Sequence, residues 1–133
     1  MANTVTVKLI ENGERNVLVA VYLRSDGGTG ELVNQTLIDP VVDLGMLPGA
    51  RLRLARIEYN FSGFDAVLSF GSGTVTPNFK WVMTEGANAP VDFLPWGLLY
   101  DDSGLDGNEK LQISTTGFTN SADQGSILIR CIK

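Results

Sequence analysis

Histidine is missing from all 133 residues, and cysteine occurs once, at Cys131. Without an imidazole there is no Ser-His-Asp or Cys-His relay, no imidazole-ligated zinc and no histidine proton shuttle. Carboxylate-only or lysine chemistry stays open, but a non-enzymatic role is the expectation, with no catalytic residue and no cofactor. One cysteine forbids an intramolecular disulfide. Basic residues are also scarce: ten Lys and Arg against fifteen Asp and Glu leave a net charge of −5. That balance argues against a general nucleic-acid binder, which needs a basic face, and against a membrane-surface role. Long apolar runs are absent too. The longest, Val17 to Leu23, is far too short to span a bilayer. The first residues lack the basic start and apolar core of a signal peptide, so folding in a reducing cytoplasm is expected. Helical periodicity is missing as well, since no window of twelve residues keeps apolar side chains at helical spacing.

What the chain does have is alternation. With 44% hydrophobic residues, 19% charged residues and 15 glycines, it reads as one globular domain over residues 1–133. The longest patterned stretch runs from Ala50 to Phe70. Leu52 and Leu54 alternate with Arg51 and Arg53, and the phase slips by one at Ala55-Arg56. Ile57, Tyr59 and Phe61 then resume the apolar series. Such a slip predicts a β-bulge. Phe64, Ala66, Leu68 and Phe70 continue beyond Ser62-Gly63, which predicts a hairpin of two long strands joined there.

Shorter strands are expected at Thr4–Ile10, Asn16–Arg24, Glu31–Ile38, Asn78–Met83, Glu109–Thr115 and Ser126–Ile132. Asn16–Arg24 has a continuous apolar centre, which suggests cover on both faces. The last strand is apolar on both sides, so it is central in its sheet or covered by a neighbouring subunit. Val41 to Pro48 is an apolar connection, and Gly86 to Tyr100 is irregular. The fold expected is all-β: an antiparallel, jelly-roll-like sandwich of about eight strands.

Candidate sites are few. Asp101, Asp102, Asp106 and Glu109 cluster beside glycines, but the spacing fails the EF-hand pattern and a solvated turn explains them. Gly27-Gly28-Thr29-Gly30 and Gly71-Ser72-Gly73 lack the ending of a phosphate-binding loop and read as hairpin turns. Arg51, Arg53 and Arg56 form the one concentrated basic group. They either pair with carboxylates on adjacent strands or meet acidic groups on a partner. The segment from Ala89 to Tyr100 is the most unusual, holding Phe93, Leu94, Trp96, Leu98, Leu99 and Tyr100 among prolines. It either folds over an open end of the sandwich or is buried by another chain. Trp81 and Trp96 are the aromatic side chains on which a sugar could stack.

Three segments carry a resemblance: Arg56–Asn60 leading into Phe64–Phe70, Asn108–Phe118, and Gly125–Arg130. In layout they resemble the decoration (cement) proteins of tailed-bacteriophage capsids. The resemblance implies a non-enzymatic virion protein, folded in the host cytoplasm and then assembled onto the shell. Its partners would be the major capsid protein or another virion protein, with self-association as a trimer at symmetry axes. The residues expected to make those contacts are Phe93, Leu94, Trp96, Leu98, Leu99 and Tyr100, together with Arg51 and Arg53. A carbohydrate-binding sandwich module is the alternative from another class.

Overall fold

The structure, a computed structural model, describes residues 3–47, 52–71, 78–87, 90–93, 95, 97–98 and 110–133. Eight strands of four residues or more carry the fold: β1 (Thr4–Asn12), β2 (Asn16–Arg24), β3 (Gln35–Ile38), β4 (Arg53–Ser62), β5 (Asp65–Gly71), β6 (Asn78–Met83), β9 (Lys110–Thr116) and β10 (Gln124–Ile132). Two further strands, β7 (Gly86–Ala87) and β8 (Val91–Asp92), are only two residues long. All pairings are antiparallel and form two sheets. Sheet A runs β1-β2-β10-β4, with β7 and β8 on the far edge of β4, and sheet B runs β3-β9-β5-β6.

This order is that of a jelly roll. Apart from β1, strands pair from the outside of the chain inward, β2 with β10, β3 with β9, β4 with β7 and β8, and β5 with β6. The chain thus behaves as one long hairpin folded across two layers. Its innermost hairpin is β5–β6. The hairpin expected at Ser62-Gly63 is therefore a corner instead: β4 lies in sheet A and β5 in sheet B. Alternation alone does not separate the two cases, because Phe61 and Phe64 face inward in both. Here they stack across the corner at 4.6 Å between ring centroids, and Phe64 meets Phe118 edge-on at 4.6 Å. Gly63 makes the corner with φ +92, and a side chain there would collide with the Asp123 carboxylate.

The bulge is where the pattern placed it. Arg130 faces Arg56 and Cys131 faces Leu54, which leaves Ala55 as the extra residue. Its carbonyl accepts the Phe93 amide at 2.9 Å. Leu52, Leu54, Ile57, Tyr59 and Phe61 consequently all face the core. β10 is central in sheet A, between β2 and β4, and β2 is buried on one face only. The strand expected from Glu31 begins at Gln35. Upstream, Leu32 and Asn34 are held instead by the hydroxyls of Thr115 and Ser114. The Val41–Pro48 connection contains a single helical turn, α1 (Pro40–Leu44). Asp39 caps it, accepting from the amides of Val41 and Val42, Pro40 takes the first turn, and Gly45 ends it in the left-handed region. Five residues are too few to show a helical period.

Candidate functional site

Two surfaces stand out, and both come from how sheet A is exposed. The first is its free edge. β1 pairs only with β2, and among the described residues nothing pairs with its other side. Val7 and Leu9 point towards the inter-sheet space yet remain 40% and 41% exposed, because the sandwich is open there. A 230 Å³ gap lies between them and Leu37, Ile38 and Leu44. A bulge at Ile10 then turns the strand, and that side chain is also exposed. Val42 of α1 and Leu47 just beyond it are exposed apolar side chains as well. Edge strands are ordinarily blunted by charge, proline or cover, and β1 has Lys8 and Glu11 for this purpose.

The second surface is the outer face of sheet A. Outward positions line up in rows across β1, β2, β10 and β4. One row is Lys8, Ala20, Leu128 and Glu58, the next is Thr6, Tyr22, Ser126 and Asn60, and another is Glu11, Leu18, Arg130 and Arg56. Ala20 and Ser126 are small, so a hollow of about 630 Å³ opens between Lys8, Tyr22, Leu128 and Pro90. Tyr22 is 39% exposed and donates its hydroxyl to Gln124 Oε1 at 3.2 Å.

The residues singled out from the sequence fall in different places. Phe93 is completely buried, with its ring edge-on to Trp81 at 5.2 Å, and its carbonyl accepts the Leu98 amide at 3.0 Å. At that residue, the segment from Ala89 to Tyr100 closes the core of its own sandwich. Leu98 is half-buried with φ +70. Arg53 is exposed on the outer face of sheet A, opposite Ile132. Leu94, Trp96, Leu99, Tyr100 and Arg51 lie outside the described residues, as does the Asp101–Glu109 cluster. Trp81 is half-buried against the core. Arg56 pairs with Glu58 of its own strand at 3.3 Å and stands between Arg130 on β10 and a carboxylate, Asp92, on β8.

The glycine loop after β2 joins sheet A to sheet B, so it is a crossing rather than a hairpin turn. Asp26 organises it. Its carboxylate accepts the amides of Gly28 at 2.9 Å and Thr29 at 2.7 Å, and also the Thr29 hydroxyl. Those bonds, the Thr29 hydroxyl first, lower the Asp26 pKa to about 2. The amides that could cradle a phosphate thus already hold a carboxylate. Cys131 is buried in the core, and burial pushes its thiol up to about 12, far from the range of a nucleophile.

Neither the β1 edge nor the outer trough was visible as a site in the sequence. Val5, Val7 and Leu9 read as ordinary inward positions, and only the position of β1 at the end of a sheet exposes Val7 and Leu9. No family model, no curated protein and no solved structure matches this chain.

Proposed function

We propose that the protein is a non-enzymatic structural protein that works by binding other protein chains, and that it self-associates and decorates a larger assembly such as a phage capsid. The observation that carries this reading is the open edge at β1, where the inward-facing Val7 and Leu9 are left half-covered beside a backbone edge that no described strand pairs. Exposed apolar residues along a free strand are the makings of an interface, since another chain can complete both the hydrogen-bond ladder and the core. The jelly roll does not choose the partner, because the same architecture serves capsid and lectin domains. The capsid assignment rests on the resemblance noted in the sequence.

Sedimentation across a range of concentrations tests the reading. A closed oligomer, with a trimer expected, should dissociate when Leu9→Lys places a charge at the edge, while the monomer keeps its β-sheet circular dichroism. The oligomer should also be recovered with purified capsid shells from the same source, and the variant should be lost from them. A protein that stays monomeric at all concentrations and never sediments with shells would overturn it.

A carbohydrate-binding role is the second reading, and the exposed Tyr22 ring beside the 630 Å³ hollow favours it. A glycan screen that elicits no response removes it.

A further inference from the structure

The hollow on the outer face of sheet A does not end at Leu128 and Tyr22. It continues at one end into a 320 Å³ hollow between Leu18, Arg56 and Arg130, sharing Glu58 and Leu128 with it. At the other end it continues into a 300 Å³ hollow at Ser62 and Gln124, sharing Tyr22, Asn60 and Ser126. The three make one trough above β10. From Arg130 to Gln124 it spans six residues, about 20 Å at the rise of a strand.

Its chemistry changes along that length in steps of two residues, because alternate residues of β10 point outward. Arg130 comes first, then Leu128 with Ala20 beside it, then Ser126 between Tyr22 and Asn60. The first step brings two guanidinium groups together. Arg130 and Arg56 are directly opposed across β10 and β4, an arrangement that disfavours folding. Arg56 has Glu58 as a partner and Asp92 directly opposite on β8, but Arg130 makes no ion pair among the described residues. The wider face is basic as well. Lys8, Arg24, Arg53, Arg56 and Arg130 occupy exposed outer positions, against Glu11 and Glu58 there and Asp92 on the adjoining β8. On a chain of net charge −5, a face with five cations and three carboxylates is complementary to an acidic partner.

We propose that this trough binds an extended polypeptide segment that carries a carboxylate on Arg130 and, two residues further along, an apolar side chain over Ala20 and Leu128. An extended chain advances about 6.6 Å in two residues, the same step that separates Arg130 from Leu128 on β10. A small polar side chain two residues beyond that would lie against Ser126 and Asn60. The charge at one end and the apolar middle favour a peptide over a sugar, which needs hydrogen-bonding groups around a free aromatic face, and the Tyr22 hydroxyl is already engaged with Gln124. The trough borders β1 through Thr6 and Lys8 but uses neither its free backbone edge nor Val7 and Leu9, so neither proposal depends on the other.

The test is an amide-resolved NMR titration of the ¹⁵N-labelled protein with a library of blocked heptapeptides. Each has Asp or Glu at the second position, Leu, Ile or Val at the fourth, and Ser or Thr elsewhere. A matched library with Asn or Gln at the second position serves as control. Shifts are expected in β10 from Gln124 to Arg130 and at the facing residues of β2 and β4. Binding is expected to weaken with salt, and by about tenfold in Arg130→Glu, whose exposed side chain is not needed for folding. Ala20→Trp, which fills the hollow, should abolish the shifts while the rest of the spectrum is kept. Equal binding of the neutral library, shifts confined to β1, or silence of the whole acidic library would each overturn the proposal. So would a Tyr22 response to oligosaccharides accompanied by silence to peptides.

Discussion

Gly125 illustrates how little room the core leaves at single positions. It sits on the inward face of β10 opposite Phe61, and a Cβ there would run into the Phe61 ring and reach the Asn60 carbonyl oxygen at 3.0 Å. Phe61 cannot swing away freely, being packed between Tyr59 and Phe64 at 5.5 and 4.6 Å. Gly125→Ala is therefore expected to lower stability by about 1–3 kcal/mol, as overpacking does. Chemical denaturation would show the loss, and Phe61→Leu in the same chain should recover part of it. Asp26 is the residue with a pH signature. Its pKa falls from the ordinary 3.8 to about 2 in the folded protein, so its contribution is fully present above pH 4 and is lost as pH falls towards 2. The Thr29 amide resonance is expected to titrate with a midpoint near pH 2, and Asp26→Asn should remove both the titration and that part of the acid sensitivity. A midpoint near 4 would mean that the loop does not hold the carboxylate as described.

Elements are decided by phase and position. In β4 the bulge at Ala55 allows Leu54 and Ile57 to share an inward face although they are three positions apart. Deleting Ala55 leaves the series Leu54-Arg56-Ile57 in regular alternation, so the register with β10 should survive. The loss is the carbonyl that receives the Phe93 amide, about 1 kcal/mol for one hydrogen bond. Deleting Glu58 instead sets Ile57 next to Tyr59 and turns every residue on one side of the cut to the wrong face. Urea titration followed by circular dichroism should show a cooperative transition for the first deletion and none for the second. β1 and β10 make the same point about position. Both alternate apolar side chains, yet β10 is enclosed by two neighbours while β1 has one and stays exposed along most of its length.

At the scale of the whole molecule, the jelly-roll topology ties residues far apart in sequence. β2 pairs with β10 over the full length of both strands, and Asn16 meets Ile132. Six of the nine connections between the described strands pass from one sheet to the other, and this divides the surface. The loops around Asp26, Asp39, Asp65 and Glu85 carry carboxylates that hold amides or cap a helix. The cations collect on the outer face of sheet A. The net charge of −5 therefore does not describe the outer face of sheet A.

The order of the apolar and polar residues determined the secondary structure, the bulge at Ala55 and the all-β sandwich, because strand alternation and turn chemistry act within a few residues of each other. The exclusion of histidine chemistry was equally legible, since it depends only on composition. Partnership between strands was not. Ser62-Gly63 carries the same pattern whether the chain turns back within a sheet or crosses to the next one, and packing of Phe61, Phe64 and Phe118 decides for the crossing. Only the tertiary structure left β1 at an edge with Val7 and Leu9 half-covered, and only it set Arg130 of β10 against Arg56 of β4. Those residues stand 74 positions apart, and no local rule relates residues that first meet when the sandwich closes.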